Sequence, residues 1–238
     1  MKLGLFIPCY INQYYPSVGI ATYKLLKKLG YEVEYPNEQT CCGQPLANAG
    51  YERYTKDAVE HFNHVFDNYE IVVAPSASCV LFIKEQLEHF INKKRKILEL
   101  SEFLISHGEL KQLNNPFPKK VGILQSCHGL RGLNLGNPSE LMENRRSNLI
   151  ELLQHVEDLE LVELNRPDDC CGFGGTFSIK EADLSVKMGQ DRIDDFIKSG
   201  AEVVTSTDIS CLMHLEGIIM KRKLQLEVKH FAEILMPS

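Results

Sequence analysis

A chain of 238 residues, 44% hydrophobic and 24% charged, has the size and mix of a folded globular protein of one or two domains, which excludes disorder, a collagen-like fibre and a low-complexity chain. Its 26 basic residues stand against 32 acidic ones, a net charge of −6 with no long cationic block, so nucleic acid and anionic membrane surfaces are not expected partners. No apolar run approaches the about 18 residues of a membrane span, and Leu3 to Ile7 is too short for the core of an export signal, which predicts a cytoplasmic protein without direct membrane insertion.

Leu3 to Ile7 suits a strand buried on both faces and stops at Pro8-Cys9. Val18, Ala21, Leu25, Leu26 and Leu29 form the stripe of an amphipathic helix that Gly30 ends. Tyr31, Val33 and Tyr35 alternate with Glu32 and Glu34 as a strand does, and Pro36 closes it. Tyr51, Tyr54, Ala58, Phe62, Val65 and Phe66 predict one face of a second helix, Ile71 to Ala74 a third strand, and Val80 to Phe90 a third helix. Lys93 to Lys96 reads as a solvent-facing basic run. The stretch 114–120, with Pro116 and Pro118, has linker chemistry. Past it the order recurs, with a helix start predicted at Asn137-Pro138 and Glu140, a capping box at Ser178 and Glu181, and a helix stop at Gly200. This alternation predicts an α/β fold of two tandem repeats, 1–113 and 121–238. Each is a Rossmann-like half unit, a small parallel sheet of three strands with crossover helices.

The cysteines carry the repeat. They fall at Cys9, Cys41-Cys42 and Cys79, then at Cys127, Cys170-Cys171 and Cys211, with Gly43 and Gly172 after the doublets. The segments around them correspond as well: LGLFIPC at 3–9 with VGILQSC at 121–127, IVVAPSASC at 71–79 with VVTSTDISC at 203–211, and LSEFL at 100–104 with FAEIL at 231–235. Thiols in a reducing compartment point to metal or redox chemistry before disulfides. In parallel sheets ligands gather beyond the carboxyl ends of the strands, where every one of these cysteines is expected. Four thiolates converging from three loops can hold an iron-sulfur cluster or zinc. Zinc knuckles pair ligands at short spacing, which only Cys211 and His214 approach, whereas adjacent cysteines suit a cluster whose irons they can share. Inert reduced thiols, or a vicinal disulfide in each doublet, are the readings without metal. Cys79 and Cys211 each open a helix, whose N-terminus favours thiolate.

CCGFGGTF at 170–177, SCHGLR at 126–131 and DISCLMHL at 208–215 resemble the CCG cysteine-rich domain family, which includes the cysteine-rich component of heterodisulfide reductase and the iron-sulfur component of glycolate oxidase. Within it the chain is similar to the lactate-utilisation group, and the resemblance spans essentially the whole sequence. It implies that the eight cysteines hold iron-sulfur clusters, of 4Fe-4S type, one or two per chain. It further implies a subunit of a complex that oxidises L-lactate to pyruvate, with a carboxylate substrate and partner subunits that include a ferredoxin-type iron-sulfur protein. The fullest form of the family motif ends in C-x-x-C, and Ser76 and Asp208 stand where its first cysteine would be. Each is read as a turn residue in preference to an oxygen ligand.

Gly172, Gly174 and Gly175 do not form a dinucleotide loop and are read as room for backbone near the cluster. Without a hydride-accepting cofactor the chain is not expected to oxidise lactate alone. A subunit of a heterodisulfide or thiol-disulfide reductase and a zinc-binding structural module are the alternatives. His128 and His214 occur only in the second repeat, opposite Tyr10 and Phe82, and are candidates for donors or proton carriers beside the second site. Arg131 is a candidate for a carboxylate substrate or for the charge of a cluster.

Overall fold

The computed structural model describes residues 2–92, 96–108, 115–143 and 146–237. The basic residues 93–95, and residues 109–114 at the end of the first repeat and the start of the linker, lie outside the described residues.

The first repeat runs β1 (Lys2–Leu5), α1 (Cys9–Tyr14), α2 (Pro16–Lys28), β2 (Glu32–Glu34), α3 (Gln44–Asn48), α4 (Lys56–Val65), β3 (Ile71–Ala74), α5 (Ala77–Ile91), β4 (Ile97–Glu99) and α6 (Leu100–His107). The second runs β5 (Lys120–Ile123), α7 (Asn148–Leu153), β6 (Glu160–Val162), α8 (Phe177–Lys180), α9 (Ala182–Lys198), β7 (Val203–Thr205), α10 (Ile209–Arg222), β8 (Glu227–Val228) and α11 (Phe231–Leu235). The α/β architecture of two parallel sheets is as the sequence predicts, but each sheet has four strands where three were expected. Their orders are β2-β1-β3-β4 and β6-β5-β7-β8, with every pairing parallel. The additional strands, β4 and β8, are three and two residues long, too short for a hydrophobic pattern to announce them.

Crossovers leave β1 to one side for β2, while the chain returns on the other side to β3, so β1 and β3 flank the point where the winding reverses. The pair β5 and β7 does the same in the second sheet. A crevice opens beyond the carboxyl ends of such a pair. β3 is buried along its whole length, as a central parallel strand must be. Proline at the first position of α2 starts that helix, and Val18, Ala21, Leu25 and Leu26 face inward as their spacing predicts. One apolar core takes in side chains of both repeats, from Leu3, Leu25 and Phe103 to Val203, Leu215 and Phe231. A second, in the first repeat, gathers Phe6, Val59, Phe62, Phe66, Val80 and Phe82.

Three local expectations are corrected. Tyr51 and Tyr54 are exposed, at the edge of and within a 3-10 turn spanning Glu52–Thr55, and the inward face begins at Thr55 and Val59. Asn137-Pro138 opens only a single turn, Ser139–Leu141; the helix that follows starts at α7, where the Ser147 hydroxyl accepts from Leu149 N–H at 3.2 Å. Ser178 forms no capping box: its hydroxyl donates to the Gly175 carbonyl at 2.7 Å, and α9 begins after Glu181. The capping boxes that do exist open the matched helices α6 (Glu99 with Glu102) and α11 (His230 with Glu233).

Candidate metal centre

Each cysteine lies on the segment that leaves the carboxyl end of a strand. Cys9 begins α1 beyond β1, the doublet Cys41-Cys42 stands on the loop after β2, and Cys79 lies in the first turn of α5 beyond β3. Cys127 precedes a π-turn (His128–Gly132) beyond β5, Cys170-Cys171 follow β6, and Cys211 lies in the first turn of α10 beyond β7. The doublet loop of the first repeat is tied to β1 by Gln39. Its side-chain oxygen accepts from Ile7 N–H at 2.7 Å, and its amide donates to the Leu5 and Pro36 carbonyls at 3.2 and 2.9 Å. Nothing in the hydrophobic pattern marks Gln39, so its part in placing the doublet is invisible to the sequence.

All eight cysteines are free thiols, including both doublets. In each set they form a string of contacts. Cys9 approaches Cys41 at 3.6 Å and Cys42 approaches Cys79 at 3.5 Å; in the second set Cys171 lies 2.7 Å from Cys211. Cys42, Cys79, Cys171 and Cys211 are buried, while Cys9, Cys41, Cys127 and Cys170 are open to varying degrees. The glycine after each doublet makes the close turn possible. Gly43 and Gly172 have φ of +97° and +88°, where a side chain is strained, and their N–H groups point back at Cys41 Sγ and Cys170 Sγ at 3.5 and 3.4 Å. A Cβ on Gly172 would meet the Ser185 carbonyl at 2.6 Å.

These contacts divide the protons unequally. Hydrogen bonds from Cys42 and Cys9, helped by Gly43 N–H, hold the Cys41 thiol down at about 2. Cys127 and Cys171, with Gly172 N–H and the charge of His128, do the same for Cys170, also about 2. The neighbours move the other way. Cys9 and Cys42 are raised by their bonds to Cys41, and Cys127 and Cys171 by theirs to Cys170, with burial adding to each. One sulfur of each set thus ionises easily while the sulfurs around it resist, because adjacent thiolates repel in a poorly solvated place. Full ionisation requires a cationic occupant, which a metal or cluster supplies by deprotonating its thiols outright. The donor set therefore fits such a group. Among the described residues no three or more His, Cys, Asp or Glu side chains are grouped so as to hold a single metal ion.

Both sets open into one cavity of about 100 Å³. Every cysteine except Cys41 lines it, together with Pro8, Tyr10, Gln44, Asn48, Ser76, Ser78, His128, Phe173 and Gly174. Tyr10 and Phe173, one from each repeat, meet edge to face at 6.2 Å. Tyr10, Gln44 and Phe173 belong to the cavity although the sequence did not mark them as a group.

Ser76 and Asp208 occupy the turns expected of them and also join the repeats. Ser76 caps α5, accepting from Cys79 N–H at 3.5 Å. The buried Asp208 carboxylate, at the matching place before α10, crosses to the first repeat and accepts from Ser78 N–H, Ser78 O–H and Ser76 O–H at 3.0, 2.7 and 3.1 Å. Of the two, only Ser76 reaches the cavity. His128 lines the cavity, with Nε2 3.5 Å from the Gln44 amide and Nδ1 3.7 Å from Cys127 Sγ. His214 lies behind the second site, its Nε2 3.2 Å from the Ser185 carbonyl, and burial lowers its proton affinity. Arg131 turns away: its guanidinium grips both oxygens of Glu140 at 2.6 and 2.9 Å on the exposed surface.

Two parallel α/β units, each carrying four thiols beyond its strands and sharing one cavity, define a duplicated cysteine-rich protein. The family model of the cysteine-rich CCG domain matches residues 3–84 and 121–216, and the chain belongs to that family. It is 36% identical to Lactate utilization protein A 1 of Bacillus mycoides (strain KBAB4), over 99% of this chain and 96% of that protein. Its identity to Lactate utilization protein A of Exiguobacterium sp. (strain ATCC BAA-1283 / AT1b) is 37%, over 98% and 96% of the two chains. Among solved structures, glutamate racemase from Aquifex pyrophilus aligns over 99% of this chain and 81% of its own, at 16% identity and a TM-score of 0.37, a likeness too slight to carry an argument. Among the described residues no helix is long and apolar enough to cross a membrane.

Proposed function

We propose that this protein is the iron-sulfur electron-transfer subunit of a cytoplasmic complex that oxidises L-lactate to pyruvate, with one cluster of 4Fe-4S type held in each repeat. Cys9, Cys41, Cys42 and Cys79 are the ligands of one, and Cys127, Cys170, Cys171 and Cys211 those of the other. The observation that carries this reading is the pair of matched four-thiol sets at the strand ends, whose sulfurs resist joint ionisation without a cationic occupant. The full-length similarity to proteins named for lactate utilisation supports lactate as the substrate.

When bound, the clusters move single electrons, whereas lactate gives up two with its protons. The chain's own residues provide the thiolates, the glycine N–H donors and the lining that limits water around the buried sulfurs. Hydride or paired-electron chemistry falls to partner subunits, among them a ferredoxin-type iron-sulfur protein. A thiol-disulfide reductase subunit is the second reading, favoured by the opening of both sets onto one cavity, where a disulfide taking two electrons and two protons becomes two thiols.

Lactate-dependent dye reduction separates these readings. The chain alone is expected to be inactive, the complex with its partner subunits active, and the complex with Cys170→Ser or Cys171→Ser inactive. Robust turnover by the chain alone, or full activity with both variants, contradicts the proposal.

A further inference from the structure

The two cysteine sets present the same ligands, yet the layers behind them differ in charge. In the first repeat Phe66 packs on Gly4, and in the second Phe196 packs on Gly122, so these positions correspond. Four residues earlier stand Phe62, on α4, and Arg192, on α9. Phe62 is buried in an aromatic layer, 5.1 Å from Phe6 and 4.7 Å from Phe66 between ring centres. Arg192 is 1% exposed and is the bulkiest fully buried side chain among the described residues.

Arg192 belongs to the face of α9 that supports the second doublet. Two turns earlier the Ser185 hydroxyl donates to the Gly172 carbonyl at 2.7 Å, and Met188 and Gly189 lie against Gly172. The guanidinium stacks 5.1 Å from the Phe196 ring centre. Its Nη1 donates to the Arg166 carbonyl and lies 3.4 Å from Asp195 Oδ2. The Asp195 carboxylate is itself held by neutral donors, Asn165 N–H and side-chain amide at 3.2 and 3.0 Å and Arg166 N–H at 3.1 Å. Arg192 Nε and Nη2 are buried with no hydrogen-bond acceptor among the described residues. A buried guanidinium with two unmatched N–H edges is costly unless a negative charge stands close. Burial lowers its proton affinity, the charges of Asp195, Asp169 and Cys171 oppose that, and the nearby Arg166 adds to it. At the first doublet Gly43 meets Thr55 and Phe82 instead, and among the described residues of the first repeat no lysine or arginine is buried.

We propose that Arg192 is a positioning residue that sets the reduction potential of the second site above that of the first. The inference rests on the reading of both sites as iron-sulfur centres. A centre ligated by thiolates becomes more negative by one charge when it takes up an electron, with no bond made or broken. A fixed cation in a poorly polarisable place stabilises that reduced state more than the oxidised one, and net charge and hydrogen bonding are what tune such potentials. Arginine suits this task because it stays charged over the whole working pH range. The result is a downhill direction: an electron leaving the reduced first centre enters the oxidised second one.

The test is a redox titration followed by electron paramagnetic resonance on the full chain, purified anaerobically and reconstituted with iron and sulfide. The wild type should show two centres of different potential. Arg192→Gln should make the higher-potential centre at least about tenfold harder to reduce, about 59 mV for one electron, and leave the other unmoved. Arg192→Lys should restore most of the difference, and Asp195→Asn, which removes the opposing charge, should shift the same centre upward. Iron and sulfide content unchanged across the variants separates tuning from damage to the site. Wild-type protein without iron and sulfide defeats the cluster reading itself. Two centres whose potentials do not respond to Arg192→Gln, or respond equally, overturn the role of Arg192 alone.

Discussion

Behind the first cysteine doublet the chain packs Val59, Phe62, Phe66 and Phe82, and behind the second it places Gly189, Arg192, Phe196 and His214. The strand ends, the glycine turns and the order of the thiols are shared, so what a thiolate-bound group needs as ligands is present twice. What differs is the medium. The first site is backed by hydrocarbon and aromatic rings; behind the second, apolar side chains are joined by the buried Arg192–Asp195 pair and an imidazole. Gly189 shows how the exchange is accommodated, since a Cβ there would lie 2.9 Å from His214 Nε2; Val59 leaves no such room in the first repeat. Identical ligands on unlike backing are a way to give two centres unlike potentials without altering the ligands.

The sharpest break in this comparison comes from replacing its two counterpart residues. Phe62→Ala should cost about 3–5 kcal/mol, the range for deleting a buried aromatic ring. Arg192→Met made together with Asp195→Asn should cost about 1 kcal/mol or less, because the buried ion pair is replaced as a whole and no charge is left buried without its partner. Urea unfolding of both variants measures this, and equal losses would mean that the two layers are not different in kind.

The glycines after the doublets come next. Gly172→Ala combines a left-handed backbone, about 1–2 kcal/mol, with contacts at 2.6 Å to the Ser185 carbonyl and 2.8 Å to Met188 Cβ, for a total loss of about 3 kcal/mol. Gly43→Ala meets Thr55 Cβ only at 3.2 Å and should lose about 1–2 kcal/mol. The same unfolding curves rank them, and the reverse order would contradict the tighter turn at the second site.

A subtler contrast lies at the capping positions of α6 and α11. Burial raises the Glu99 carboxyl to about 8 and lowers the His230 imidazole to about 3. Glu99 therefore contributes stability that is present below about pH 4.5 and lost as pH rises through about 8. His230 contributes stability that is present above about pH 6.5 and lost as pH falls toward 3. Glu99→Gln should flatten the alkaline decline and His230→Gln the acid one, each by a few kcal/mol at most, at about 1.4 kcal/mol per pH unit. Stability measured from pH 4 to 9 reads both slopes. Smallest of all is Arg131→Ala, expected within about 1 kcal/mol because its pairing with Glu140 is exposed.

Much of this was legible in the sequence. Buried-strand runs such as Ile71 to Ala74, the stripe Val18 to Leu26 and the doubled CCG spacing led to two parallel units with cysteines at their strand ends. That succeeds because a fully apolar run and a 3.6-residue stripe report burial directly. β4 and β8 escaped because two or three residues contain no period. Glu99 and His230 were hidden because a capping box is recognised by helix geometry, and their complete burial is a property of the packed fold. Asp208 was readable as a turn residue but not as an acceptor for Ser76 and Ser78, a contact between residues about 130 apart in the chain. Nothing in the hydrophobic pattern marks Arg192. Its full burial distinguishes it, and that depends on how α9 is rotated against the rest of the second repeat.

The central claim is that two equivalent four-thiol sites each hold an iron-sulfur group. Iron, acid-labile sulfide and zinc determined on anaerobically purified wild type, Cys42→Ser and Cys171→Ser test it most directly. The account predicts a brown wild-type protein with iron and sulfide, and about half of both retained in each variant, since the ligand lost in one repeat leaves the other intact. Stoichiometric zinc without sulfide, or complete loss of iron from either single substitution, would contradict it.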